Sequence, residues 1–405
     1  MKLTYDDSVI KKHLYLLLFL IIFFQTFIVH VVDNWEVKYK LFGVPANTFP
    51  GGDARNIQNA AFCASLGYSY YNNRECKEEE NLIKKIYPKY DHVPLYNYPP
   101  IVADVYRLFN NRSERFFLDF WKFNVLMLLI TILIYSYKIN YKLFPLILFS
   151  PVTLLAIERG NIEAITFSVL FIPLLLTSSL FVQSFFIGIA SAIKVFPIIG
   201  YIALLKSKLK DIYKIFLGGA IALPLIVYTL LYIPEYINNT LYGFYSSFGL
   251  TSLKNSRFID NHIYLYPVGL LIFLLFSSTI LYFIFKSKPL IAHLQNELMK
   301  IPNKQFTILL VSLIIYIYVF LSITSWAYRF IFLIPAMLVL SNVNNSIAKV
   351  LFWLISIAFW VPIIPYGWYL FNIMGYLLVP FLFVILILSV QGKYGYLYEN
   401  NNESK

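Results

Sequence analysis

The chain has 405 residues, is 59% hydrophobic and only 13% charged, and carries a net charge of +12. Soluble domains run about 45–50% apolar and about 25% charged, so a soluble globular protein is excluded. The basic residues are scattered between apolar runs rather than gathered on one soluble unit, so no nucleic-acid partner is expected.

Several apolar runs exceed the roughly 18 residues that mark a membrane helix. They predict an all-α polytopic membrane protein. The first follows Lys11-Lys12-His13 and covers 14–32. It resembles a signal peptide but is too long, and no small-x-small site ends it. It is read as a retained span with the N-terminus inside.

Further candidate spans are 116–136, 143–157, 163–181, 184–205, 213–233, 263–285, 306–323, 328–341, 348–366 and 369–390. Lysine-rich linkers at 138–142, 206–210, 286–304, 349 and 393 should all face the cytoplasm. Single crossings would put 206–210 on the wrong side. The weak point is Ser191-Ala192-Ile193-Lys194-Val195-Phe196-Pro197, where a charge and a proline interrupt the run. A broken or re-entrant helix there repairs the order and gives about 11–12 segments. Irregular backbone at that depth needs protein or a water-filled cavity around it.

Linkers 33–115, 158–162, 234–262 and 324–329 then face outward. The chain reads as one integral-membrane domain, 1–405. It comprises a large extracytoplasmic loop at 33–115, a bundle at 116–390 and a cytoplasmic tail at 391–405.

Within the first loop, Gly51-Gly52-Asp53 precedes Ile57, Ala60, Ala61 and Ala64 on one helical face. This predicts a short amphipathic helix on the membrane. Tyr98-Pro99-Pro100 predicts the start of a second surface helix. Tyr68, Tyr70, Tyr71, Tyr87, Tyr90, Tyr96 and Tyr98 suit an interfacial layer. The only cysteines, Cys63 and Cys76, lie in this loop and fit either a disulfide or two free thiols.

Eleven of the 21 acidic residues fall between Asp33 and Asp119. Asp53 stands apart from solvated runs such as Glu78-Glu79-Glu80. It suits a helix cap and equally a general base at the interface. Glu158-Arg159-Gly160-Asn161-Ile162-Glu163 packs charges between two apolar runs. A Glu–Arg pair closing two helix ends is one reading. The other is a site where Arg159 grips phosphate and Glu158, Asn161 and Glu163 bind hydroxyls. Lys194 either snorkels or lines a cavity. Arg329 either anchors a span end or joins the same outer cluster, and the linker with Asn255, Arg257 and His262 adds further candidates.

Displacing a lipid phosphate from a sugar carbon needs a base for the acceptor hydroxyl and cations for the leaving phosphate. The ordered motifs Gly52-Asp53, Leu66-Gly67-Tyr68, Tyr98-Pro99-Pro100, Arg159-Gly160-Asn161-Ile162-Glu163, Lys194-Val195-Phe196-Pro197, Lys254-Asn255-Ser256 and Tyr328-Arg329 resemble GT-C-type glycosyltransferases, most of all glycosyltransferase family 87. The resemblance implies a GT-C bundle in the plasma (inner) membrane with its active site outside. It implies inverting transfer of a hexose or pentose, mannose favoured, from a polyprenyl-phosphate donor to a glycan or glycolipid acceptor. It makes Asp53 the base, and Lys194, Arg159 and Arg329 the phosphate ligands. Many GT-C enzymes carry a second acid near this Asp, but Arg55 stands here, so no metal or other cofactor is expected and Arg55 is placed on the donor phosphate. A lipid-linked saccharide flippase and a surface-polysaccharide polymerase are the alternatives. The first usually shows pseudo-repeats, which are not visible here, and the second places its large loop late.

Overall fold

Prolines, glycines and capping side chains cut the apolar runs into helices, and the cuts decide where polar residues can gather. The computed structural model describes residues 7–25, 42–44, 52–71, 96, 98–108, 114–205, 211–238, 247–248, 265–321, 325–364 and 367–402. In chain order the helices begin with α1 (Asp7–Phe23), α2 (Gly52–Ser65), α3 (Pro100–Leu108) and α4 (Glu114–Lys138). Next come α5 (Phe144–Leu148), α6 (Pro151–Arg159), α7 (Glu163–Leu176) and α8 (Leu180–Ile193). A 3-10 helix at Phe196–Gly200 leads into α9 (Tyr201–Leu204), α10 (Ile212–Leu231) and α11 (Ile233–Asn238). The last are α12 (Leu265–Lys286), α13 (Lys288–Lys300), α14 (Asn303–Leu321), a 3-10 helix at Ala327–Leu333, α15 (Ile334–Leu340), α16 (Ser346–Trp360) and α17 (Gly367–Asn402). The only strands among the described residues are β1 (Ser247–Phe248) and β2 (Ser325–Trp326), paired antiparallel.

Among the described residues, five helices are long and apolar enough to cross a membrane, or up to seven if each bent pair is one span. Length and composition make this a polytopic membrane protein. The expected span 14–32 is described only as far as residue 25, and several of the other expected apolar runs are broken or short. The expected span 143–157 bends by 60° between α5 and α6. There Pro151 lacks an N–H, and the Ser150 side chain accepts from Thr153 N–H to start the next helix. α7 and α8 have 14 residues each, about 21 Å at the usual rise, against a hydrocarbon core of about 30 Å. The expected span 263–285 is α12, which turns by 86° into α13. The expected tail continues α17 as helix to Asn402.

The bundle has two ends with different chemistry. α4 begins beside α3, where Phe120 packs edge-on to Tyr106. It leads to Ile139 and Asn140, which bond Asn342 and Ser341. Lys12 joins this second end, its Nζ 3.9 Å from the Tyr137 ring centre. Between the ends, Thr131 bonds Ser168 at 2.7 Å and Tyr135 OH donates to the Phe171 carbonyl, which satisfies polar groups inside the apolar layer. α10 and α12 leave Phe216, Leu217, Ile221, Leu271, Ile272 and Leu275 exposed, as a lipid-facing surface requires.

The expected break at Lys194 is present and is a hairpin. α8 ends at Ile193, and Lys194 is extended, with φ −145° and ψ 133°. The chain then runs back beside α8, so that Tyr201 OH donates to the Ser184 carbonyl and Gly200 lies against Ile187.

The apolar face of α2 does not lie on a membrane. Ile57, Ala60 and Ala61 bury against Val102, Ala103 and Ile162 in a small second core. The tyrosines of the first loop likewise form no uniform interfacial layer. Tyr71, Tyr96 and Tyr98 are buried in that core, because their hydroxyls have partners there. Tyr71 donates to the Tyr98 carbonyl and Tyr96 to that of Pro99. Tyr68 is exposed, and Tyr87 and Tyr90 lie outside the described residues. The helix after Tyr98-Pro99-Pro100 forms as α3. Cys63 is buried and disulfide-bonded; the other cysteine, Cys76, lies outside the described residues.

Candidate functional site

The site is built on three chain reversals. Gly160 ends α6 in the left-handed region, with φ 57° and ψ 35°, a conformation that favours glycine. Its N–H caps the carbonyls of Ala156 and Ile157. The reversal puts Asn161 at the apex and starts α7 at Glu163 with little intervening chain. The second reversal is the Lys194 hairpin. The third joins α14 to the 3-10 helix bearing Tyr328 and Arg329. α2 supplies Asp53 from its first turn, and Tyr98 comes from the segment before α3.

Asn161 ties these pieces together. Its Oδ1 accepts from the backbone N–H of Glu163 at 3.0 Å, which turns the amide nitrogen the other way. That nitrogen lies 2.5 Å from Asp53 Oδ2, 2.6 Å from Tyr328 OH and 3.0 Å from Tyr98 OH. An amide offers two protons, so the three acceptors share them. Asn161 is 1% exposed, and its contacts hold Asp53 against the α6–α7 turn.

Glu163 forms a second junction. Its Oε1 is 3.3 Å from Lys194 Nζ and 3.1 Å from Arg329 Nε. Lys194 Nζ also sits 4.2 Å from the centre of the Tyr98 ring, and the Arg329 guanidinium lies over Phe196. Both contacts are of the cation–π kind. Arg159 Nε pairs with Glu158 Oε2 at 3.1 Å, where Glu158 is fully buried. A carboxylate at the last turn of α6 opposes the helix dipole, and the neighbouring guanidinium offsets it. Three carboxylates therefore meet three cations.

Burial pushes the Asp53 carboxyl above its usual range, and Glu163 adds to that push. The Arg159 charge, the Asn161 hydrogen bond and Lys194 pull the other way without reversing it. Burial, then the Asp53 charge, pushes the Tyr98 hydroxyl well up, so it stays protonated at neutral pH. The arrangement can take a proton at Asp53 and hold an anion beside Lys194 and Arg329.

The structure thus brings Asp53, Asn161, Glu163, Lys194 and Arg329 into one connected set, with Glu158 and Arg159 in the same α6–α7 turn. Arg55 lies on α2, but its side chain is outside the described residues. Asn255, Arg257 and His262 are also outside them. Their linker is tied to this end where Ser247 pairs with Trp326 and Phe248 with Ser325, just before Arg329.

Sequence reasoning missed two participants, and a separate polar cluster on α3. The Tyr98 and Tyr328 hydroxyls meet Asn161, although only their motifs stood out in the sequence. Asp104 on α3 accepts from Tyr70 OH and, at 2.8 Å, from Tyr228 OH on α10. Burial and that bond push the Tyr70 hydroxyl up to about 12. No spacing in the chain signals a pairing of residues 104 and 228.

Neither a family model, a curated protein nor a solved structure matches this chain.

Proposed function

We propose that this protein is a membrane glycosyltransferase of the GT-C type. It moves a hexose or pentose, mannose favoured, from a polyprenyl-phosphate donor to a glycan or glycolipid acceptor on the outer membrane face. One observation carries the reading. A carboxylate pushed toward the range of a useful base, Asp53, shares one end of an apolar bundle with Lys194, Arg159 and Arg329. A base that works near neutral pH is best poised when its pKa is raised.

In the proposed step the acceptor hydroxyl oxygen bonds to the anomeric carbon and gives its proton to Asp53. The bond from that carbon to the phosphate oxygen breaks on the opposite face, so configuration inverts. The electron pair leaves with polyprenyl phosphate, and its growing charge is met by Lys194 and Arg329. Those cations supply the role a metal would otherwise fill, so the reaction is read as metal-independent. The apolar groups exposed on α10 and α12 suit a bilayer that delivers the lipid tail.

The test is reconstitution of the purified protein with a panel of polyprenyl-phosphate sugars and lipid-linked acceptors. Transfer by the wild type, lost in Asp53→Asn with the fold retained, is the expected result. Absence of transfer from every donor, or lipid translocation that survives Asp53→Asn, would overturn the reading in favour of a flippase.

A further inference from the structure

Glu163 is 1% exposed, and its two oxygens have different surroundings. Oε1 carries the contacts to Lys194 Nζ and Arg329 Nε. Oε2 is buried with no hydrogen-bond partner among the described residues. The residue is held at both ends, because its backbone N–H donates to Asn161 Oδ1 while Asn161 reaches Asp53. The bare oxygen therefore has a fixed place relative to the proposed base.

A buried carboxylate oxygen without a donor is costly, and native structures seldom keep one without a use. The chemistry around Oε2 narrows what can supply the donor. A phosphate oxygen would be repelled by the carboxylate. A lipid tail brings no donor. A second ammonium beside Lys194 and Arg329 meets like charge. A neutral hydroxyl fits, and a sugar presents several next to the anomeric carbon.

Resting on the glycosyltransferase reading above, we propose that Glu163 Oε2 accepts a hydrogen bond from one hydroxyl of the transferred sugar. Oε1 meanwhile holds Lys194 and Arg329 in place for that sugar's phosphate. Glu163 thus sets which sugar configuration is accepted, a role separate from that of the base.

The experiment compares kcat/KM for the preferred donor and its monodeoxy analogues, using full-length wild type, Glu163→Gln and Glu163→Asp in lipid nanodiscs. A hydrogen bond to a charged group predicts that one deoxy donor loses roughly 10- to 100-fold with the wild type. That same analogue should show little further loss with Glu163→Gln, whereas the other deoxy positions should stay additive. Should Glu163→Gln leave the cation pair unsupported and fail to fold, Glu163→Asp keeps the charge but withdraws the oxygen, and should shrink the same single penalty. Additive losses at every donor hydroxyl, coupling to an acceptor hydroxyl instead, or an undiminished penalty in Glu163→Asp would each overturn this proposal alone. Absence of wild-type transfer from every donor would overturn the functional reading and this proposal with it.

Discussion

The Asn161 amide nitrogen lies 2.5 Å from Asp53 Oδ2, although 108 residues separate the two in sequence. The contact joins α2 of the large loop to the turn between α6 and α7. It also fixes what each residue can do. Asn161 cannot move away without leaving Asp53 and two tyrosine hydroxyls short of a donor, and Asp53 cannot turn to solvent without leaving the amide.

The first prediction separates activity from stability at Asp53. Its carboxyl is raised by burial, so the folded protein holds this proton more tightly than the unfolded chain does. Asp53 therefore weakens the fold as pH rises from the ordinary carboxylate range through the raised value. Asp53→Asn should melt at or above the wild-type temperature at neutral pH, and the gap should close on acidification through that window. Its sugar transfer should fall by about 10²–10⁴-fold, the usual worth of a general base. Thermal unfolding in detergent across pH, beside transfer assays, checks both halves. A variant that is inactive and also much less stable at neutral pH would make Asp53 structural instead.

The second prediction uses Asn161→Asp. It would put a second carboxylate against Asp53, and two such groups cannot both ionise at hydrogen-bond distance. The acid limb of the pH–rate profile should move to higher pH, because the pair holds a proton longer. Asn161→Ala should instead cost stability, about 1–3 kcal/mol, by leaving buried acceptors unpaired. An unchanged acid limb in Asn161→Asp would detach Asp53 from the proton-transfer step.

Much of this end of the molecule was legible in the sequence, for a simple reason. Ionised groups are so costly in an apolar bundle that Glu158, Arg159, Glu163, Lys194 and Arg329 had few places to go. The break at Lys194 was legible because a charge and a proline together cannot sit in a lipid-facing helix. The bends were harder. The 60° turn before Pro151 depends on Ser150 capping the next helix, and one proline in an apolar run does not say whether the helix kinks or stops. The tyrosine partners were hidden for a different reason. Tyr98, Tyr228 and Tyr328 look like interfacial residues by composition, and only the packing of α3 on α10 and of the late 3-10 helix on Asn161 gives their hydroxyls a function.

The third prediction concerns Lys194. Its Nζ bridges Glu163 and the Tyr98 ring, so Lys194→Met removes a charge from the proposed phosphate site and leaves Glu163 with Arg329 alone. Transfer should fall by about 10²-fold or more, as when one fixed donor to a developing oxyanion is lost. Lys194→Arg should recover part of it. Steady-state kinetics with donor and acceptor varied separately would place the loss. A loss confined to acceptor KM would move Lys194 out of the phosphate site.

The fourth prediction tests the path of the chain. Glu163 starts α7 at the Asp53 end, and Lys194, after α8, returns to the same carboxylate at 3.3 Å. Residues 196–204 then run back beside α8, with Tyr201 bonded to Ser184, so Leu205 lies away from Asp53. The polypeptide therefore makes three legs between Glu163 and Leu205, an odd number. Two of the legs are 14-residue helices too short to count as full spans, yet the parity is the same as for three crossings. It leaves Leu205, the residue before the lysine-rich stretch 206–210, at the end opposite Asp53, on the side where the positive-inside rule expects that stretch. Ser207→Cys and Tyr68→Cys, made separately in sealed vesicles, should react with an impermeant maleimide from opposite sides. Modification from one side only would mean that the hairpin at Lys194 does not reverse the chain across the membrane. Lys194 would then have to reach Glu163 from a different topology.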